Sequence, residues 1–196
     1  MRTGLLIGTA DKVPGTVLRR FIGGPTVQPI NDPTTVTVSQ LLYNRESGRE
    51  VYKVSKIEGA DLYQLLSPRD LENLVALYLQ SKEGYMMVPR TADYSAPKYK
   101  VALIHRDGRR AVLQVKSGKV NLQADDYAEV ADKVDELFLF TSEGIYEGEP
   151  GSGIRFLDSE TIKTFANSHY HLMPNPIQIC IDLVGKLDTQ ATTSPG

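Results

Sequence analysis

Gln114 and Lys116 are the polar side chains whose positions most directly suggest chemistry. They lie in residues 111–116, a largely apolar run that predicts a β-strand. Side chains alternate between the faces of a strand, so Val112, Gln114 and Lys116 share one face and the other face is entirely apolar. An ammonium group on an interior-looking strand is costly without a partner. The pair therefore indicates a polar site at the strand end, just before the turn at 117–118.

This strand forms the second half of a predicted hairpin. Residues 98–105 are another strand-like run, and the Asp-Gly dipeptide at 107–108 is a strong hairpin signal. Two registers stay open. A three-residue loop would pair Lys100 with Gln114, and a two-residue loop would pair Val101 with Gln114. Neither register places an acidic residue opposite Gln114.

Helices and further strands flank this hairpin. The Ser-Pro pair at 67–68 is typical of a helix start, and apolar residues then recur at helical spacing over 68–82. A short apolar strand follows at 85–88, and a helix over 125–134 leads to an apolar strand at 137–140. A helix between two strands favours a crossover connection, so we expect a mixed sheet with helices against its faces.

The N-terminal third has a different character. Its candidate strands are short and separated by turn residues; they lie at 16–18, 21–22, 26–30, 34–38 and 51–54. This pattern predicts a β-rich module, a small barrel or sandwich, over residues 1–65. A second domain is expected over 66–188.

Toward the C-terminus the pattern is less regular. We expect a strand at 154–157, a helix that begins after Asp158 or Ser159, and a last helix over 176–187. Residues 189–196 are predicted to form a disordered tail.

Composition restricts the class of protein. The chain has 196 residues, a formal net charge of -2 and a single cysteine, Cys180. These values exclude a generally basic nucleic-acid coat, a disulfide framework and a Cys-based zinc site. We find no apolar run of membrane-spanning length and no signal-peptide core, so we expect a cytoplasmic protein without a membrane partner. Basic residues nevertheless concentrate in one region: Lys98, Lys100, Arg106, Arg109, Arg110, Lys116 and Lys119.

Three pieces of the chain together resemble a known nuclease family. They are Ser67-Pro68-Arg69-Asp70-Leu71-Glu72, Gly84-Tyr85 and Gln114-Val115-Lys116-Ser117-Gly118. In this combination, over roughly residues 67–141, they resemble the PD-(D/E)xK nuclease superfamily. The nearest likeness is to the Mrr-type restriction-endonuclease-like domain, where a Gln often replaces the acid before x-Lys. The resemblance implies an α+β protein in which a mixed β-sheet flanked by helices follows the β-rich N-terminal module.

The resemblance also implies roles for individual residues. Lys116 would orient the nucleophile or steady developing charge, Gln114 would supply a secondary metal ligand, and Glu72 would complete the catalytic set. Mg²⁺ or Mn²⁺ would be the cofactor of an active enzyme, with Glu72, Gln114 and Asp93 as candidate ligands. The family's central acid belongs on the first hairpin strand, yet residues 98–105 contain no carboxylate. Asp93 is the nearest acid upstream.

Two functions follow from the resemblance. The first is a metal-dependent phosphodiester hydrolase of DNA metabolism or defence. The second is a degenerate nuclease fold that has lost catalysis and binds nucleic acid or a protein partner, so the sequence leaves open whether the chain is an enzyme. Basic residues suit phosphate contacts, above all with DNA; the expected ones are Lys98, Lys100, Arg109, Arg110 and Lys119. The N-terminal module could bind a partner protein or serve as an assembly interface, and the oligomeric state stays open.

Overall fold

The computed structural model describes residues 33–53, 61–88, 99 and 101–191. Contacts divide the chain into two compact units, one of residues 1–67 with 170–196 and the other of residues 68–169. The second unit holds the predicted site residues that the structure describes, which are Glu72, Arg109, Arg110, Gln114, Lys116 and Lys119. The division into domains at 1–65, 66–188 and 189–196 stays a prediction.

The first unit begins, in its described part, with a helix where the sequence predicted a strand. Helix α1 spans Pro33–Ser47 and includes the β-branched run at 34–38, so that strand prediction is wrong. Proline suits the first turn of a helix, and each β-branched residue costs a helix only a few tenths of a kcal/mol, about 0.5 relative to Ala. Leu42, farther along the helix, is buried. Burial of one side of a helix outweighs so small a propensity cost.

The predicted strand at 51–54 is also wrong over residues 51–53, which form no strand. The side chain of Asn44 on α1 binds this segment instead. Its Oδ1 accepts hydrogen bonds from the backbone N–H groups of Val51 (2.9 Å) and Tyr52 (3.0 Å), and its Nδ2 donates to the Tyr52 carbonyl (2.8 Å). The backbone groups that a strand would pair are therefore satisfied by one amide. The candidate strands at 16–18, 21–22 and 26–30 lie outside the described residues.

Two further helices complete the described part of this unit. Helix α2 spans Leu62–Leu65 and is capped by the side chain of Asp61, which accepts from the Tyr63 N–H at 3.0 Å. A short 3₁₀ turn at Tyr170–Leu172 precedes another α-helix, which spans Asn175–Ala191. That last helix extends into the tail predicted to be disordered, because no Gly or Pro interrupts residues 186–191. Cys180 is buried in it.

The second unit is built on a mixed sheet of five strands. The strands are β1 (Tyr85–Met87), β2 (Val101–His105), β3 (Arg110–Lys116), β5 (Glu136–Thr141) and β7 (Ile154–Phe156), in that spatial order. β2 runs antiparallel to both β1 and β3, whereas β5 lies parallel to both β3 and β7. The predicted mixed sheet is confirmed. The sequence missed a two-stranded parallel sheet of β4 (Leu122–Gln123) and β6 (Tyr146–Glu147).

Helices cover the two faces of the five-stranded sheet. Helix α3 spans Pro68–Lys82, as predicted, and contacts β1 and β3. Beside it lies α5 (Ser159–Ser168), with Phe165 and Tyr78 in edge-to-face contact at 5.4 Å. The predicted helix over 125–134 is shorter in the structure, which has a 3₁₀ turn at Ala124–Tyr127 followed by α4 (Ala128–Ala131). With helix α6 at Asn175–Ala191 in the other unit, these are the α-helices of the described residues.

The crossover between β3 and β5 packs on the sheet face that α3 does not occupy. Its apolar residues form what we term the Val112 cluster: Val112, Leu122, Ala124, Tyr127, Leu137, Leu139 and Ile154. The cluster contains no residue of α3, so α3 covers the opposite face. The apolar residues of the crossover face the sheet, since Tyr127 belongs to the cluster and Val130, Ala131 and Val134 pack against it.

Replacing Asp158 by Ala is expected to destabilise the fold by about 1 kcal/mol at neutral pH, the usual cost of losing a helix N-cap. The Asp158 Oδ2 accepts hydrogen bonds from the Thr161 N–H and hydroxyl, each at 2.7 Å. These bonds lower the pKa of Asp158. The stabilisation is therefore full above the unfolded-state pKa of about 4 and is lost as the pH falls through the folded-state pKa.

Urea denaturation of Asp158→Ala and of the parent chain at several pH values measures this difference. Asp158→Asn is the matched control, because it keeps a capping oxygen without the charge and should show a difference that varies less with pH. A stability gap between Asp158→Ala and the parent that stays constant from neutral pH to well below pH 4 would contradict the expected role of the charge.

Candidate functional site

The hairpin register brings Gln114 into the interior of the second unit. Val101 pairs with Leu113 and Ile104 with Arg110, so the loop has the three-residue length, the first of the two predicted registers. Gln114 itself is only 3% exposed. It lies beside Leu139 of β5, on the face covered by the Val112 cluster.

The Gln114 Oε1 atom is buried, and none of the described residues donates a hydrogen bond to it. A buried acceptor without a partner costs about 1–3 kcal/mol, so stability alone does not explain a glutamine at this position.

Lys116 lies two residues farther along the same face, at the carboxyl end of β3. It is half-buried and pairs with Thr141 in the parallel ladder. Within the described part of the chain, its Nζ forms no ion pair. The structure therefore brings a neutral oxygen acceptor and an ammonium group together on one face, as the strand alternation predicted.

Two loops meet at this end of the sheet, which we term the Lys116 edge: residues 117–121 after β3 and 142–145 after β5. The Thr141 hydroxyl donates to the Val120 carbonyl (2.7 Å), and the Gly118 N–H donates to the Ser142 hydroxyl (2.9 Å). The carboxyl ends of adjacent parallel strands are where α/β proteins commonly bind ligands. Here the loops are tied to each other, so the edge is a defined surface.

The structure does not bring Glu72 to the face that carries Gln114 and Lys116, which corrects the expectation that it completes the site. It is half-buried on α3, the helix that covers the face opposite to Gln114. Three further residues predicted from the sequence lie outside the described residues: Asp93, Lys98 and Lys100. Their place at the site stays a prediction.

Two of the predicted nucleic-acid contacts lie at the other end of β3. Arg109 binds the carboxylates of Asp107 (2.9 Å) and Glu136 (2.8 Å). Arg110 is exposed, and its backbone N–H donates to the Asp135 carboxylate at 2.7 Å. Lys119, by contrast, is exposed in the first loop of the Lys116 edge. Of the described basic residues, Lys116 and Lys119 therefore share an edge, and Arg109 and Arg110 belong to a separate, charge-balanced end of the sheet.

This opposite end is held together by a network of acids and bases. The Tyr85 hydroxyl donates to Glu136, and Arg155 binds Glu83 at 3.1 Å while its guanidinium lies 5.1 Å from the ring centre of Phe138. Burial and the bond to Glu136 raise the pKa of Tyr85 far above its usual value. The acidic, basic and tyrosine side chains at this end of the sheet bond to one another, which indicates that they have a structural role.

The Lys116 edge offers one part of the ligand set that a divalent cation requires. The unpartnered Gln114 Oε1 is a hard oxygen of the kind that Mg²⁺ accepts. The described residues contain no group of three or more His, Cys, Asp or Glu side chains that could hold a metal ion. Gln114 thus supplies one suitable ligand, and a complete site would need carboxylates on the same face; of the two predicted acids, Glu72 lies on the helix of the opposite face and Asp93 lies outside the described residues.

Tyr127, on the crossover after β3, is buried in the Val112 cluster. Burial is the main cause of its raised pKa, to which the charge of Asp126 adds, so its hydroxyl stays protonated at neutral pH.

Neither a scan against protein-family models nor a search of curated proteins finds a match to this chain. In the described segments, none of the helices is both long and apolar enough to cross a membrane.

Proposed function

We propose that this chain processes nucleic acid, DNA above all, as a metal-dependent phosphodiester hydrolase of DNA metabolism or defence with a restriction-endonuclease-like domain. The observation that carries the proposal is the buried, unpartnered Gln114 Oε1 beside Lys116. Its setting supports it: a helix, three antiparallel strands, a helical crossover and a parallel strand follow in the order that the resemblance implies.

The residues of the edge suit a phosphodiester. The Lys116 ammonium can bind a non-bridging phosphate oxygen and stabilise the negative charge that grows there during hydrolysis. Gln114 Oε1 can accept a hydrogen bond from the attacking water or serve as an oxygen ligand. A divalent cation, with Gln114 as one ligand and Asp93 as the predicted acidic ligand, would polarise the phosphate and lower the pKa of water. Glu72, on the helix that covers the opposite face of the sheet, is left out of this ligand set. Lys119 on the neighbouring loop adds a second positive charge for the nucleic-acid backbone.

A second candidate function is nucleic-acid or protein binding without hydrolysis. Two observations favour it: the residue at the usual acidic position is a neutral amide, and the described residues hold no acidic metal cluster. In that case Lys116 and Lys119 would retain the phosphate contacts. A cytoplasmic location and a protein partner of the N-terminal module stay predictions.

A cleavage assay tests the proposal and separates it from the alternative. The full chain is incubated with single- and double-stranded DNA and RNA, with Mg²⁺, Mn²⁺ or EDTA, and binding is followed by fluorescence anisotropy over a range of salt. Hydrolysis is expected with the metal and not with EDTA. If the chain binds nucleic acid in a salt-dependent way and does not cut it, the second candidate function, binding without hydrolysis, is supported in place of the hydrolase. If the chain neither cuts nor binds nucleic acid, both candidate functions are overturned and the assembly role is favoured.

A further inference from the structure

We propose that the Lys116 edge binds single-stranded DNA, with Ile145 and Val120 in contact with its unpaired bases and Lys116 and Lys119 in contact with its phosphates. This inference rests on the proposed function, since it takes nucleic acid as the ligand. It adds the form of nucleic acid that the edge selects. It also gives a specificity role to two apolar residues that the resemblance did not supply.

The two apolar side chains are exposed where the loops after β3 and β5 meet. Ile145 is 60% exposed, more than any other large apolar residue in the described part of the chain, and Val120 is 41% exposed. Single exposed apolar side chains are ordinary on a protein surface. Here each of the two adjoining loops carries one, next to the lysines of the same edge, and apolar groups set among polar ones are typical of an interaction surface.

Hydrogen bonds hold the backbone at both residues. The Ile145 carbonyl accepts from the Leu122 N–H (3.0 Å), and the Ile145 N–H donates to the Asn121 Oδ1 (3.2 Å). The Val120 carbonyl accepts from the Thr141 hydroxyl at 2.7 Å. Both side chains are therefore presented from a fixed backbone, so that a ligand does not have to order the loops when it binds.

The charges of the edge favour an anionic ligand. Lys116 is half-buried and Lys119 is exposed, and within the described part of the chain neither forms an ion pair. The two loops carry one carboxylate, that of Glu143. Glu147, which follows on β6, accepts hydrogen bonds from two side-chain amides. The two ammonium groups thus outnumber the loop carboxylate, which gives the edge a charge complementary to phosphate.

An unpaired strand is the form of nucleic acid that suits this combination. In a duplex the phosphates lie outside and the faces of the bases are stacked inside, so an apolar side chain beside a phosphate-binding lysine meets no base face. In a single strand the base faces are free, and proteins commonly cover them with apolar or aromatic side chains. Because the edge offers apolar and cationic groups on adjoining loops, one short stretch of strand can contact both.

The first experiment measures the selectivity by fluorescence anisotropy of the full chain with oligothymidylate and with a duplex of the same length. Ile145→Ala should weaken binding of the single strand roughly fivefold, the effect of uncovering about one buried methylene group, and leave duplex affinity within about twofold. Val120→Ala should act in the same direction. Met86→Ala is the matched control, because Met86 is 55% exposed but lies on β1, two strands away from β3.

The second experiment tests the contact itself. The chain contains no tryptophan, so Ile145→Trp introduces a single indole whose emission reports on its surroundings. We expect the emission to fall when oligothymidylate binds, because the bases stack on the indole, and the affinity for the single strand to rise roughly fivefold. Met86→Trp should show neither change.

The outcomes separate this inference from the proposed function. An equal loss for single strand and duplex in Ile145→Ala, no loss for either, or unchanged emission of Ile145→Trp on binding would each overturn the base contact, even if the parent cleaves DNA. Selective loss and a fall in emission without cleavage by the parent would support the base contact and reject the hydrolase. If the parent binds neither form of DNA, the base contact and the proposed function both fail.

Discussion

Replacing Lys116 by Ala is expected to slow metal-dependent cleavage by about 100-fold or more, the usual cost of removing one charge-stabilising donor from an active site. Lys116 is half-buried at the end of β3 and shares its face with Gln114. Its ammonium would act in a partly dehydrated setting, where charge interactions are stronger than in water. Single-turnover cleavage of a labelled duplex measures the loss.

Binding should change less than cleavage in the same variant. Removal of one phosphate contact lowers duplex affinity and reduces the slope of log affinity against log salt by about 1. Lys116→Arg keeps the charge and should retain binding, although its planar fork places the charge differently. Lys82→Ala is the control, since Lys82 is an exposed lysine in the last turn of α3.

Either of two results would remove Lys116 from the site. One is cleavage by Lys116→Ala at the rate of the parent chain. The other is an equal loss in Lys82→Ala, which would indicate that total charge and not position is responsible. If the parent binds without cutting, the affinity and the salt slope alone decide the role of Lys116.

Replacing Gly144 by Ala is expected to destabilise the second unit by about 3 kcal/mol, at the upper end of what overpacking usually costs. A Cβ atom at this position would lie 2.0 Å from the Val120 carbonyl oxygen and 2.7 Å from the Thr141 hydroxyl oxygen. Atoms cannot approach so closely, and the carbonyl is backbone that cannot swing away. The two loops of the Lys116 edge would have to separate.

That separation would break identified hydrogen bonds. The Thr141 Oγ1 donates to Val120 and accepts from the Gly144 N–H at 3.2 Å. Urea denaturation measures the change in the free energy of unfolding. Gly151→Ala is the matched control, because a Cβ there meets no atom within 4 Å. A Gly144→Ala protein as stable as the Gly151→Ala protein would show that the two loops do not meet as described.

Much of the sheet followed from local sequence. The helix over 68–82, the strand at 85–88 and the apolar strand at 137–140 were predicted close to their observed bounds. Their periodic patterns are strong, and each is bounded by residues that end an element. The hairpin loop at 106–108 was one of two predicted lengths, since an Asp-Gly pair is compatible with both.

The errors arose where tertiary packing overrode a local preference or where an element was too short to show one. Residues 34–38 are β-branched and were predicted to form a strand, yet they belong to α1, which buries Leu42. The strands at Leu122–Gln123 and Tyr146–Glu147 were missed because two residues carry no measurable periodicity. Such short strands exist only when the rest of the fold brings them together.

The sequence by itself determined that Gln114 and Lys116 share a strand face, because alternation is a property of any extended backbone. It also placed Glu72 on a helix. Only the tertiary structure decided that this helix covers the opposite face of the sheet from Gln114, that Tyr127 packs in the Val112 cluster and that Val120 meets Gly144. Each of these contacts joins residues far apart in the chain, and it forms only when the packing of the whole unit brings them together.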